Sequence, residues 1–156
     1  MGNIDRRYRV SSLLRVILAA ALLGTVCFIF SNSMQTASVS SDASGLVLGL
    51  LQRVLRRMGY PGLAARLTDH MVRKAAHFCE YAILGFLLAN ALRLHIPLAR
   101  ACLVAIACAS LFGVTDELHQ YFVPGRMCDP LDWLVDTLGA SLGALVARAV
   151  FSRSER

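Results

Sequence analysis

No CxxC pair, no HExxH motif, no internal repeat and no low-complexity tract occurs in these 156 residues. The five cysteines, Cys27, Cys79, Cys102, Cys108 and Cys128, are odd in number and scattered, four of them inside apolar runs. They suggest neither a disulfide framework nor a thiolate zinc motif, and they read as small apolar residues. Without a compact ligand motif, any metal site has to be assembled from separate helices. Polar sequence is scarce as well: once the apolar runs are set aside, little remains for a soluble domain.

What is present is apolar. Hydrophobic residues make up 56% of the chain and the mean hydropathy is +0.57, above the apolar share of about 45–50% in soluble domains. Four stretches come near the ~20 residues that a helix needs to cross a bilayer: 10–30, 75–94, 101–120 and 131–151. The expectation is an all-α membrane protein, one integral membrane domain over 1–156 built as a bundle of four transmembrane helices. The net charge of +6 would suggest nucleic acid in a soluble protein, but the basic residues flank or interrupt apolar spans, so the lipid bilayer is the expected partner and nucleic acid is not. The N-terminal run has the basic and apolar parts of a signal peptide, with a poor cleavage site at Thr36-Ala37-Ser38, and an uncleaved first span is expected.

The connection 31–74 is long for a bundle. Its serines up to Ser44 read as a polar loop, and "GLVLGLLQRVLRRMGYPG" sets Arg53, Arg56 and Arg57 opposite Leu50, Leu51, Val54, Leu55 and Met58. That pattern predicts an amphipathic interfacial helix between spans one and two, stopped at Gly59-Tyr60-Pro61-Gly62. Thr68 or Asp69 caps the second span, Pro97 starts the third, and Asp129 followed by Pro130 opens the fourth. With both termini cytoplasmic, nine basic residues, Arg6, Arg7, Arg9, Arg15, Arg93, Arg100, Arg148, Arg153 and Arg156, lie inside against seven outside. Gly139 and Gly143, beside Ala140 and Ala144, let span four approach a neighbour closely, in the monomer or in a dimer. The oligomeric state stays open.

Any four-span arrangement gathers the end of span one, the start of span two, the end of span three and the start of span four at one membrane face. Ser31-Asn32-Ser33, "RKAAHFCEY" (73–81), "TDELHQ" (115–120) and "DPLDWLVD" (129–136) therefore become neighbours. At ~1.5 Å per residue Glu80 lies roughly 8 Å inside a span that starts at residue 75, with Asp116 and Asp136 at similar depth. At ~100° per residue Arg73, Lys74, His77, Glu80 and Tyr81 share a face, Asp116, His119 and Gln120 another, and Asp132 and Asp136 stack one turn apart. Glu117 turns off the Asp116 face, toward the headgroups, while Tyr121 and Trp133 suit an interfacial belt and Asn90 and His95 look incidental.

A carboxylate near the bilayer centre costs about 2.5–3.5 kcal/mol, less toward the interface. Six acids, Glu80, Asp116, Glu117, Asp129, Asp132 and Asp136, face three fixed cations, Arg73, Lys74 and Arg126. Charged histidines, protonated carboxyls or a bound cation would relieve the excess. A divalent metal would draw on His77, Glu80, Asp116 and Asp132, with His119 and Asp136 as further donors. A purely structural network gluing the helices together explains the same residues.

"RKAAHFCEYAILGFLLANAL" together with "FGVTDELHQYFVPGRMCDPLDWLVDTLGASLG" resembles the VanZ-like family of bacterial membrane proteins, and "FSNSM" matches its polar exit from the first helix. The resemblance runs from about Phe30 to Leu145 and places the family's polar signature on Lys74, His77, Glu80, Tyr81, Asp116, Glu117, His119, Gln120, Arg126 and Asp132. Asp136 departs from a pattern in which Asn is common. The resemblance implies a multi-pass protein of the bacterial cytoplasmic membrane, in a family named for a member associated with teicoplanin resistance. Two functions follow as expectations. In the first, a site facing the extracytoplasmic leaflet binds or modifies a lipid-linked or peptidoglycan-related envelope molecule. His77 or His119 acts there as general base, Glu80 or Asp116 orients it, and Lys74 and Arg126 hold an anionic headgroup, with Tyr81, Glu117, Gln120 and Asp132 completing the pocket. In the second, the protein is a non-catalytic scaffold. Proton or cation transport ranks below both.

Overall fold

The computed structural model describes residues 2–126 and 129–152, with side chains from residue 12 onward. The readings placed on Cys128, Arg153 and Arg156 lie outside those residues, and those on Arg6, Arg7 and Arg9 outside the described side chains. Among the described residues six helices follow one another: α1 (Gly2–Ser33), α2 (Ala37–Arg57), α3 (Pro61–Arg66), α4 (Asp69–Leu92), α5 (Leu98–Gln120) and α6 (Pro130–Phe151). No strand occurs among the described residues. The apolar part of α1 (Ser12–Ser33), α4, α5 and α6 are each long and apolar enough to cross a bilayer, so the chain is a multi-pass membrane protein with four candidate spans. Leu23, Leu103, Leu111, Leu138 and Leu145 stand exposed on their outer faces, the arrangement expected where hydrocarbon rather than water is the solvent.

Small residues bring α4 and α6 into the closest contact of the bundle. A Cβ on Gly139 would overlap the carbonyl of Phe78, one on Gly143 that of Ala82, and one on Gly85 that of Ala140. The glycine stripe foreseen as a packing face is thus used inside the monomer. Ala89, Cys102, Ala105, Ala144 and Ala147, all buried, continue this close packing to α5. α1 lies against α4 through Ile29, which packs with the buried Tyr81 and Leu84.

The caps follow the sequence closely. Thr68 accepts from Met71 N–H, and Asp129 accepts from Leu131 N–H ahead of Pro130. The serine stretch is the main departure: instead of a polar loop, residues 37–44 form the first turns of α2. Ser44 Oγ donates to the Ser40 carbonyl at 2.9 Å and pairs with the Asp69 carboxylate, which satisfies the hydroxyl inside a helix. The chain then breaks at Gly59, whose φ is +88°, but Pro61 starts a new short helix, α3, rather than ending helical structure. Arg53, Arg56 and Arg57 on α2 are exposed, as are Leu46, Leu50, Leu51 and Val54. An apolar strip facing out beside a basic one fits the interfacial helix foreseen.

Candidate functional site

Helix periodicity assembles the site. On α4 Lys74 and His77 are three residues apart; on α6 Asp129, Asp132 and Asp136 climb the facing side at similar spacing. Lys74 Nζ lies 3.3 Å from Asp129 Oδ2 and makes a closer ion pair with Asp132. One turn deeper, His77 Nδ1 lies 3.3 Å from Asp136 Oδ1 without the alignment of a hydrogen bond. α5 closes the third side with Asp116, Glu117 and Gln120, all buried. α4 begins at Asp69 behind its Thr68 cap, as the sequence indicated, so Glu80 sits about three turns into its helix.

A second chain of contacts ties this core to α2. Arg126 Nη1 donates to Ser40 Oγ at 3.1 Å and its Nη2 to Gln120 Oε1 at 2.6 Å, while Gln120 Nε2 donates to Asp116 Oδ2 at 2.9 Å. Among the described residues Arg126 has no carboxylate in salt-bridge range. Burial, and then the charge of Arg73, lower its pKa from the ordinary value; a guanidinium stays charged regardless. Asp129 is shifted the other way for a different reason. The Leu131 N–H it accepts, followed by the Lys74 ammonium, holds its carboxyl below the usual range.

The expected residues divide into three groups. His77, Asp116 and Asp136 offer ligand atoms that all lie within 4.8 Å of one another. Lys74 and Asp132 pair beside them, and Gln120 and Arg126 form the outer chain. Glu80 and His119 instead turn toward α1. Asn32 Nδ2 donates to Glu80 Oε1 at 2.8 Å; His119 Nδ1 is 3.2 Å from Ser33 Oγ, and its ring lies 4.8 Å from that of Phe30. The metal set read from sequence therefore changes: Glu80 and Asp132 have other partners, and Asp136 takes a place beside His77 and Asp116. Glu117 does not reach toward headgroups. It is 3% exposed and accepts from Asp129 N–H at 2.8 Å, fastening α5 to the start of α6. Trp133 is more than a belt residue, since its Nε1 donates to Ser110 on α5. Tyr81 is buried with its hydroxyl unpartnered.

Asn32, Ser33 and Ser40 were the partners that sequence reasoning did not assign. Parity had brought residues 31–33 to the right end, but which side chain each would meet depends on helix rotation. Two cavities open on the cluster. One, of about 190 Å³, is lined by polar groups including Lys74, Gln120 and Asp132; the other, of about 650 Å³, runs between α1, α2 and α4 past Phe28, Val47, Leu51 and Met71. Arg73, His77 and Arg126 line both.

No curated protein and no solved structure matches the chain. The VanZ/LLP1 family model matches residues 17–151, which include all four candidate spans in large part and every residue of the site. With the helices, the polar cluster and that match in hand, the chain belongs to the VanZ/LLP1 family.

Proposed function

We propose that the protein binds an anionic amphiphile of the bacterial cell envelope, with the headgroup in the polar cavity and the chain in the apolar groove. One observation carries this reading: the two cavities meet at Arg73, His77 and Arg126. The larger volume is in the range of ligand pockets and its wall is mainly apolar. Arg126 retains N–H donors beyond those engaged by Ser40 and Gln120, and a forked guanidinium without a carboxylate partner suits a phosphate. Of the two histidines foreseen as bases, His77 is the one that borders both cavities; His119 borders neither. The positive-inside count, nine basic residues against seven, supports setting this end of the bundle at the extracytoplasmic leaflet. A lipid-linked cell-wall precursor has the required chemistry, and sequestering one would alter sensitivity to teicoplanin.

The test is lipid mass spectrometry on protein extracted in a mild detergent. The wild type is expected to carry an anionic lipid in excess of its membrane abundance, and Arg126→Gln to retain it about tenfold less. No enrichment in the wild type, or equal enrichment in the variant, contradicts the reading. A scaffold would show a different pattern: Glu80→Gln would lower abundance and activity in parallel without changing bound lipid.

A further inference from the structure

We infer that His77, Asp116 and Asp136 bind one divalent cation of the Zn²⁺ or Mn²⁺ kind at the meeting point of α4, α5 and α6. This goes beyond lipid binding and stands independently of it.

The donor geometry comes first. One ligand atom from each side chain lies within 4.8 Å of the other two, and metal bonds of about 2.0–2.2 Å to nitrogen and oxygen need only small side-chain adjustments from such spacing. The carboxylates are the second observation. Asp116 is 2% and Asp136 0% exposed, yet Asp116 Oδ1 and both oxygens of Asp136 have no hydrogen-bond partner, and neither does His77 Nδ1. Buried carboxylate oxygens are normally satisfied. Here the side chains that carry the orphaned atoms are the same three, from three helices, whose ligand atoms lie within 4.8 Å of one another.

Charge argues in the same direction. Lys74 is occupied by Asp129 and Asp132, Arg73 by Asp69, and among the described residues no Lys or Arg pairs with Asp116 or Asp136; the basic group nearest Asp136 is His77 itself, its Nδ1 3.3 Å from Oδ1. Two carboxylates in a low-dielectric interior call for a divalent charge. The surroundings also orient the donors. Gln120 holds Asp116 by Oδ2, leaving Oδ1 free, as outer hydrogen bonds commonly fix a ligating carboxylate. Gly113 brings α5 up against Asp136, the position its Cβ would take lying in van der Waals contact, 3.4 Å, from the Asp136 Cβ. An imidazole with two carboxylates favours zinc or manganese over calcium or magnesium. Three protein ligands would leave a coordination position open, and His77 is the one of the three that borders both cavities.

The experiment measures metal and lipid on the same samples. Tag-free protein in nanodiscs, purified without chelator, is analysed for metals, then stripped and titrated with Zn²⁺ and Mn²⁺. Trp133, the single tryptophan, reports locally, because its ring and the Asp136 carboxylate both meet the Gly113 position. The wild type is expected to hold about one metal per chain and to change Trp133 emission on titration, while His77→Leu and Asp116→Asn weaken binding at least about tenfold. Glu80→Gln and Asp132→Asn are expected to keep the metal. A wild type with no bound metal and no Trp133 response overturns the inference, even if lipid is present. Equal loss in all four variants also overturns it, because the site would then not be this triad. Metal without lipid upholds the inference and contradicts the lipid reading alone.

Discussion

The two ends of the bundle use the same helices for opposite purposes. At the closed end, Ala89, Leu98, Cys102, Ala105, Ala144 and Ala147 fill the space between α4, α5 and α6. The buried polar group there is satisfied: Asn90 accepts from Arg93 Nε at 2.7 Å, and the Arg93 guanidinium covers the Phe151 ring at 3.6 Å. At the open end the same three helices bury Tyr81, Asp116, Glu117 and Asp136 and half-bury His77, each with a side-chain polar atom lacking a hydrogen-bond partner. The closed end is arranged for packing, whereas the open end holds buried polar atoms without hydrogen-bond partners, which are costly in a low-dielectric interior. That combination is the ground for proposing a site there rather than a core.

Four substitutions test this division, the largest effect first. Gly143→Val drives a side chain into the Ala82 carbonyl and is expected to destabilise the fold by about 3 kcal/mol, read as lost monodispersity and a lower melting temperature in detergent. Lys74→Met leaves Asp132 without its cation. The pair retains roughly a quarter of its side-chain exposure, so the loss is about 2 kcal/mol rather than that of a fully buried pair, and adding Asp132→Leu is expected to restore stability.

Asp116→Asn is the sharpest comparison because its sign is reversed. In chelator it removes a buried charge that no cation balances while keeping an acceptor for Gln120, so the melting temperature is expected to rise, by about 1 kcal/mol of stability, as metal binding is lost. A fall in stability under those conditions would place Asp116 in the structural network.

The smallest effect concerns the α6 cap. Asp129 has a carboxyl pKa below its ordinary 3.8 in the folded chain, so its ionised form favours folding. Its contribution is complete above the unfolded value and is lost as pH falls through the folded one. Asp129→Ala is therefore expected to lower stability by about 0.5–1 kcal/mol at neutral pH, with the difference from wild type in melting shrinking as pH falls below the ordinary carboxyl value of 3.8 and through the folded one.

Much of this was legible in the chain itself. Apolar run lengths gave the spans, Thr68, Pro97, Asp129 and Pro130 marked helix starts, and parity alone brought four distant polar segments to one end. The errors were local. The serines before Ser44 are compatible with loop or helix, and the backbone bond to Ser40 together with the Asp69 contact decided for helix. His119 shares a sequence face with Asp116, but α1 lies over that part of α5 and takes it through Ser33 and Phe30.

Sequence by itself determined that this is a four-span family member with ionisable groups gathered beneath one surface, because span length, parity and helix periodicity depend only on the order of residues. Tertiary structure alone decided the partners: Glu80 with Asn32, Lys74 with Asp132, and His77 with Asp116 and Asp136. The physical reason is rotation. A helix turned by one residue, about 100°, keeps its hydropathy and its depth but presents a different carboxylate, and the glycine contacts locking α4 to α6 are what set that angle.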